Sequence, residues 1–220
     1  EEVNLRPIDD GSIWKLDGMP LLCRWSSAWD CNYETNWWYV IKDTPFDIAA
    51  LKSKRRYEIN KGSKNFIVRK IQSQEYVDDL FKVTIEAYSG WPEKYRPYVS
   101  KEDFEVQLKS WCKSDIFAGF SVESNEIQGY AVLTDYGAYV EFSILRTMPS
   151  AEKSAINAAM VAGILEYYKS RFDGAFYIND GSRAIRHETA FQDYLIKYFE
   201  FRKAYCHLNV KYKKAVRLFV

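Results

Sequence analysis

Three apolar segments joined by very short polar links constrain this chain more than any other feature. Residues 116–122, 127–134 and 139–145 are rich in β-branched and aromatic side chains, and Ser124-Asn125 and Tyr136-Gly137 mark the breaks. Links this short join antiparallel neighbours, because a parallel pair needs a crossover of about a dozen residues or more. The segments predict an antiparallel meander.

The flanking sequence predicts alternating helices and strands. Residues 65–71 alternate as a strand, with Phe66, Val68 and Lys70 against Ile67, Arg69 and Ile71. Ser73 is placed to cap a helix with the stripe Val77, Leu80, Phe81, Thr84, Ile85 and Tyr88. Gly90-Trp91-Pro92 ends it, and in the loop that follows Trp91, Tyr95 and Tyr98 are either core residues or the wall of a groove. Ser100 and Asp103 form a capping-box-like pair for a helix through Trp111. After the meander, Pro149-Ser150 opens a long helix with Ile156, Ala159, Met160, Gly163, Ile164, Tyr167 and Tyr168 on its core stripe. A strand over 176–178 then feeds a polar turn at Asp180-Gly181. The helix expected over 188–199 carries Phe191, Tyr194, Leu195, Tyr198 and Phe199. Cys206, Leu208 and Val210 form the inward side of a last strand.

Ahead of this lie two strands, over 21–29 and 37–41, and a helix starting at Thr44-Pro45-Phe46-Asp47 and ending near Gly62. That helix carries Lys52, Lys54, Arg55, Arg56, Lys61 and Lys64, which make either a solvated face or an anion site. The expected division is an N-terminal extension over 1–64, packed on a main domain over 65–220.

The balance of 31 basic and 30 acidic residues provides no global field for nucleic acid or membrane. No apolar run reaches the roughly 18 residues a membrane span needs. Cys23, Cys31, Cys112 and Cys206 show no metal-ligand spacing, and with only His187 and His207 a zinc site is not expected. Free thiols fit a cytoplasmic location. The chain starts at Glu1 without Met, so a start residue or upstream region is expected to precede it.

From Asn65 onward the order is strand, helix, helix, three strands, helix, strand, helix, strand, and this order resembles the GNAT acyltransferase superfamily. Leu51-Lys52-Ser53-Lys54-Arg55-Arg56-Tyr57-Glu58-Ile59 is similar to the basic helix of Fem-type aminoacyltransferases and of acetyltransferase-like proteins from bacterial polysaccharide clusters. Asp180-Gly181-Ser182-Arg183-Ala184-Ile185-Arg186-His187, Phe191-Gln192-Asp193-Tyr194-Leu195 and Phe199-Glu200-Phe201-Arg202-Lys203-Ala204-Tyr205 carry the same likeness. The resemblance implies an α/β (α+β) fold, a GNAT-like mixed twisted sheet with flanking helices and an N-terminal strand–helix extension. It also implies an N-acyltransferase that moves an acyl or aminoacyl group to an amine of a sugar, peptide or cell-wall or polysaccharide precursor. Two alternatives stand beside it: a non-catalytic module that keeps the groove, and a nucleic-acid binder using the basic helix.

GNAT enzymes hold the acyl-CoA pyrophosphate on a glycine-rich turn before the long helix, where backbone N–H groups meet phosphate oxygens. In this chain the turn reads Arg146-Thr147-Met148-Pro149-Ser150-Ala151-Glu152-Lys153, with no glycine. Pro149 donates no N–H, and Glu152 adds a negative charge. Acyl-CoA therefore loses support as donor, and aminoacyl-tRNA, the donor of Fem-type proteins, is the alternative. The other partners implied are a small-molecule, glycan or peptide acceptor; oligomeric state stays open.

Acyl transfer to an amine needs a base, oxyanion stabilisation and a proton for the leaving group. By analogy Glu141, central in a meander strand, is the candidate base, with His187 as the alternative. Asp180 would orient His187 or Arg183. Arg183, Arg55 and Arg56 would clamp an anionic group, Tyr205 would donate a proton, and Gln192 completes the substrate-binding set. Cys206 reads as packing. The expectation is that Arg183 and His187 face the same cleft as Arg55 and Glu141.

Overall fold

The computed structural model describes residues 3–183 and 190–214. In chain order the elements are α1 (Arg6–Asp9), β1 (Leu22–Ser27), β2 (Trp37–Lys42), α2 (Ser53–Asn65), β3 (Phe66–Ile71), α3 (Val77–Ser89), α4 (Lys101–Ser110), β4 (Ser114–Ser121), β5 (Ile127–Asp135), β6 (Tyr139–Thr147), α5 (Pro149–Glu152), α6 (Ile156–Tyr167), β7 (Tyr177–Ser182), α7 (Ala190–Phe199) and β8 (Arg202–Tyr212). The chain divides into two compact units. The smaller comprises Glu1–Val40, Ser182–Glu188 and Arg202–Val220, the larger Ile41–Gly181 and Thr189–Phe201.

In the smaller unit β1 pairs antiparallel with β8, from Leu22 opposite Tyr212 to Ser27 opposite His207. Arg202 forks onto Asp30 through two bonds of 2.7 Å, a planar pairing that holds the carboxyl of Asp30 below its usual range. Cys206 and Ala204 are fully buried, as the alternation predicts, whereas Val210 is 44% exposed. The inward pattern fades toward the end of the strand.

The larger unit is built on the meander. β3, β4, β5 and β6 pair antiparallel in sequence order, and β7 joins β6 in parallel. A helix lies close on one face because its contacts are small. A Cβ on Gly163 would sit 2.5 Å from Cβ of Val68, and one on Gly119 would sit 2.8 Å from Sδ of Met160. α6 is buried nearly all round, through Ile156, Ala158, Ala159, Met160, Val161, Ala162, Ile164 and Leu165. α3 packs against β5 and β6, and strand alternation puts Tyr130 of β5 on the side opposite Gly129. There the Tyr130 hydroxyl lies 2.8 Å from Oγ1 of Thr84 in α3. Thr84 and Leu80 are buried as the stripe predicts, but Ile85 is 40% exposed and Val83 takes its place in the core.

Several sequence expectations change. No helix starts at Thr44. Lys42 is fully buried and its Nζ takes Oγ1 of Thr44 at 2.5 Å, so that oxygen is used before it can cap. Asp47 instead accepts from the backbone N of Ala49 at the head of a 3-10 turn over Ile48–Ala50, and α2 begins at Ser53. Gly62 does not end α2, which runs to Asn65. Ser73 is buried in a 3-10 turn, and no side chain caps α3. Ser100 does cap α4, accepting from N of Asp103 at 3.0 Å. The long helix is broken: α5 is one turn from Pro149, and Ala155 takes a left-handed conformation (φ 65°) before α6 starts. Asp180 and Gly181 are not a turn but the last part of β7.

Candidate active site

β6 and β7 form a short parallel ladder that pairs Tyr139 with Tyr177, Val140 with Ile178 and Glu141 with Asn179. The ladder ends there, although β6 continues to Thr147. Beyond Glu141 the two strands part and leave a fork. The adjoining ladder supplies a cause. Val132 pairs with Ile144 and Leu133 with Phe142, so Ser143 is an extra residue in β6. A bulge bends its strand and increases the local twist, which turns β6 away from its parallel neighbour.

Two carboxyl groups stand at the fork. Glu141 is half-buried, and burial alone pushes its carboxyl above the usual range. That carboxyl makes no hydrogen bond or ion pair with a described residue. Asp180, one residue beyond the last ladder pair, is pushed up to about 7. Burial is the main cause; a hydrogen bond from Gln192 opposes it, and the charge of Glu141 adds to it. Two carboxyls that sense each other in a partly dry site resist ionising together. α7 sets the third member. Phe191 meets Phe142 edge-on at 6.4 Å, and Leu195 and Phe199 are fully buried. This seating brings Nε2 of Gln192 to 3.5 Å and 3.4 Å from the carbonyls of Asp180 and Gly181. The site thus has one carboxyl of raised affinity for protons, a second pushed up to about 7, and a strand edge beyond the end of its ladder.

No protein-family model and no curated protein matches the chain. Solved structures do. L-PGS from Bacillus licheniformis superposes with a TM-score of 0.55 at 14% identity, over 95% of this chain and 67% of that one. FemX gives a TM-score of 0.57 at 10% identity, over 82% of this chain and 63% of that one. The fold is GNAT-like and of the Fem type. The chain spans about two thirds of the length of each of these structures.

In a GNAT-like fold the start of α6 is where acyl-CoA phosphates would meet backbone N–H groups. α2 fills that place. A Cβ on Gly62 would sit 2.5 Å from the carbonyl oxygen of Ala155 and 2.9 Å from N of Ala159, so α2 touches the first turn of α6 backbone to backbone. The side-chain amide of Asn65 donates to the carbonyl of Ser154 at 3.3 Å. Ala151, Ala155 and Ile156 are buried. A pyrophosphate does not fit at this helix end.

The structure brings Glu141, Asp180 and Gln192 together within the larger unit. Arg55 and Arg56 are half-buried on α2 of the same unit, and Nη1 of Arg56 donates to the carbonyl of Ala49 at 3.1 Å. Arg183 and Tyr205 belong to the smaller unit. There Arg183 donates to the carbonyl of Asn36 at 2.6 Å and its guanidinium lies 4.8 Å from the ring of Trp38, which Tyr205 also meets edge-on at 6.1 Å. Burial, then an interaction with Glu34, pushes the Tyr205 phenol up. His187 lies outside the described residues. Sequence reasoning missed a polar group on the α3 side of the sheet, formed by Arg146, Tyr130, Tyr88 and Thr84. The signal was present in the four-residue spacing of Thr84 and Tyr88. Among the described residues no cluster of His, Cys, Asp and Glu could hold a metal ion, and no helix is long and apolar enough to cross a membrane.

Proposed function

We propose that this chain transfers an acyl or aminoacyl group to an amine, with the reaction centred on the fork between β6 and β7. The observation that carries the reading is the end of the parallel ladder at Glu141, with the raised carboxyls of Glu141 and Asp180 beside it. An amine attacks only after losing a proton, and a carboxylate with raised proton affinity removes it more effectively than a solvated one. The edge of β6 beyond Glu141, no longer committed to β7, offers backbone N–H groups to the oxyanion of a tetrahedral intermediate. Asp180, pushed up to about 7, supplies the proton that the leaving group takes as the intermediate collapses, and Gln192 hydrogen-bonds to Asp180.

The fold shared with FemX and L-PGS supports this reading. The acceptor we favour is an amino group on a sugar, a peptide or a cell-wall or polysaccharide precursor. For the donor, the closed start of α6 favours a molecule that does not place a pyrophosphate there. Aminoacyl-tRNA meets that condition and acyl-CoA does not. The test is label transfer from charged tRNA and from acetyl-CoA to a panel of amino sugars and short peptides, with wild type and Glu141→Gln side by side. Transfer from tRNA that Glu141→Gln removes supports the proposal. Equal transfer by the variant, or none from either donor, defeats it.

A further inference from the structure

The side of the sheet that faces α3 holds a cation without a counter-ion among the described residues. Arg146, near the end of β6, is half-buried and forms no ion pair with any described residue. Its partners are hydroxyls: Nη1 donates to Tyr130 at 2.6 Å and to Thr84 at 3.4 Å, and Nη2 donates to Tyr88 at 2.6 Å. The guanidinium also lies 4.9 Å from the ring centroid of Tyr88 and 5.9 Å from that of Tyr130. Arg171 of the same unit shows the usual arrangement, with two bonds to Asp135 under a similar pair of rings. A partly buried charge without a counter-ion is costly.

The hydrogen positions follow from the geometry. Oγ1 of Thr84 donates its one hydrogen to the carbonyl of Leu80 at 2.8 Å. Tyr130 must then be the donor in its 2.8 Å contact with Thr84, which leaves its lone pairs for Arg146. Tyr130 is fully buried and its role is complete. Tyr88 differs. It accepts from Nη2, yet its own O–H has no acceptor among the described residues. Of the five N–H groups of a guanidinium, three are used, and Nε–H and one Nη2–H are left. A polarised phenol O–H and two guanidinium N–H groups therefore remain as donors in one place, with a net positive charge and no acceptor.

The geometry points to a binding site for one oxyanion, a carboxylate or a phosphate, held by Arg146 and Tyr88. It lies on the face of β6 that alternation and the bulge also give to Glu141, so the ligand that enters beside the fork carries an acidic group. The site goes beyond acyl transfer and stands whether or not the chain catalyses it. Trp91 meets Tyr88 edge-on at 5.2 Å and is 50% exposed, which leaves an indole surface beside the anion for the rest of the ligand.

The test is an arginine side-chain Nε–H spectrum, with the Arg146 signal assigned by its loss in Arg146→Lys. Sodium phosphate and sodium acetate are titrated separately at constant ionic strength against sodium chloride. The expected result is saturable movement of that signal in the low millimolar range, and the tighter of the two anions identifies phosphate or carboxylate as the group recognised. Tyr88→Phe should weaken binding about fivefold, the loss of one hydrogen bond, with the protein still folded by circular dichroism. No movement with either anion, movement that never saturates, or equal affinity in Tyr88→Phe would overturn the site. Tyr88→Phe removes one hydroxyl and keeps the ring, so the test survives if Arg146→Lys fails to fold.

Discussion

The fork beside Glu141 and the start of α6 are built in opposite ways. At the fork a ladder stops early, a bulge bends the strand, and two carboxyls are held above their ordinary range. At the start of α6 the backbone is covered, with α2 pressed onto it through Gly62 and Asn65. Among the described residues, the first has lost its ladder partner and the second is covered by a neighbouring helix. The two features can therefore be lost separately, and a donor carried some other way requires only the fork.

The contrast can be broken at its strongest point by Glu141→Gln. If the fork is the reaction centre, steady-state transfer should fall about a thousandfold, with the circular dichroism melt unchanged. A loss below tenfold would move the chemistry elsewhere. Next in size is Gly62→Val. The added carbons meet backbone atoms of Ala155 and Ala159, so urea unfolding should show a loss of about 3 kcal/mol. A variant as stable as wild type would mean that the start of α6 is not closed.

Asp180→Asn tests the electrostatics of the fork. An unfolded Asp ionises near 3.8 and the folded one near 7. Between those values the folded state keeps a proton that the unfolded state has lost, so stability falls as pH rises through the window, by up to about 4 kcal/mol. Asn removes that penalty. Denaturation should show a gain approaching about 4 kcal/mol at pH 8 and none at about pH 3, below both values. A gain that is the same at both pH values would assign the effect to packing. The smallest expected effect is at Arg183. Its bond to the carbonyl of Asn36 and its place on Trp38 predict a loss of about 1 kcal/mol in Arg183→Ala by urea unfolding. A much larger loss would make it a support of the smaller unit.

Most of the fold was legible because the meander announces itself. Short polar breaks between β-branched runs leave few topologies, and the strand and helix readings around them mostly hold, whereas of the capping readings Ser100 holds and Thr44, Ser73 and Gly62 do not. The failures share one cause, which is tertiary demand on a residue with a local role. Thr44 reads as a cap until buried Lys42 takes its oxygen. Gly62 reads as a helix end until α6 is seen to need a residue without a side chain there. Asp180-Gly181 reads as a turn, yet β7 runs through it. At the fork, strand order and likeness singled out Glu141, Asp180 and Gln192 as candidates, and the fold brings them near one another. Arg146 was read only as part of a phosphate turn, because its hydroxyl partners come from α3 and β5, and strand register alone brings them together.

The most direct test of the fork is the initial rate of transfer from aminoacyl-tRNA as a function of pH. The Glu141–Asp180 pair predicts a rate that rises with pH as the pair loses its first proton, above the usual carboxylate range. Asp180→Asn removes the neighbouring charge and should shift that rise to lower pH. A profile that is flat above that range, or one that Asp180→Asn leaves in place, would contradict a reaction run by the carboxyls of the fork.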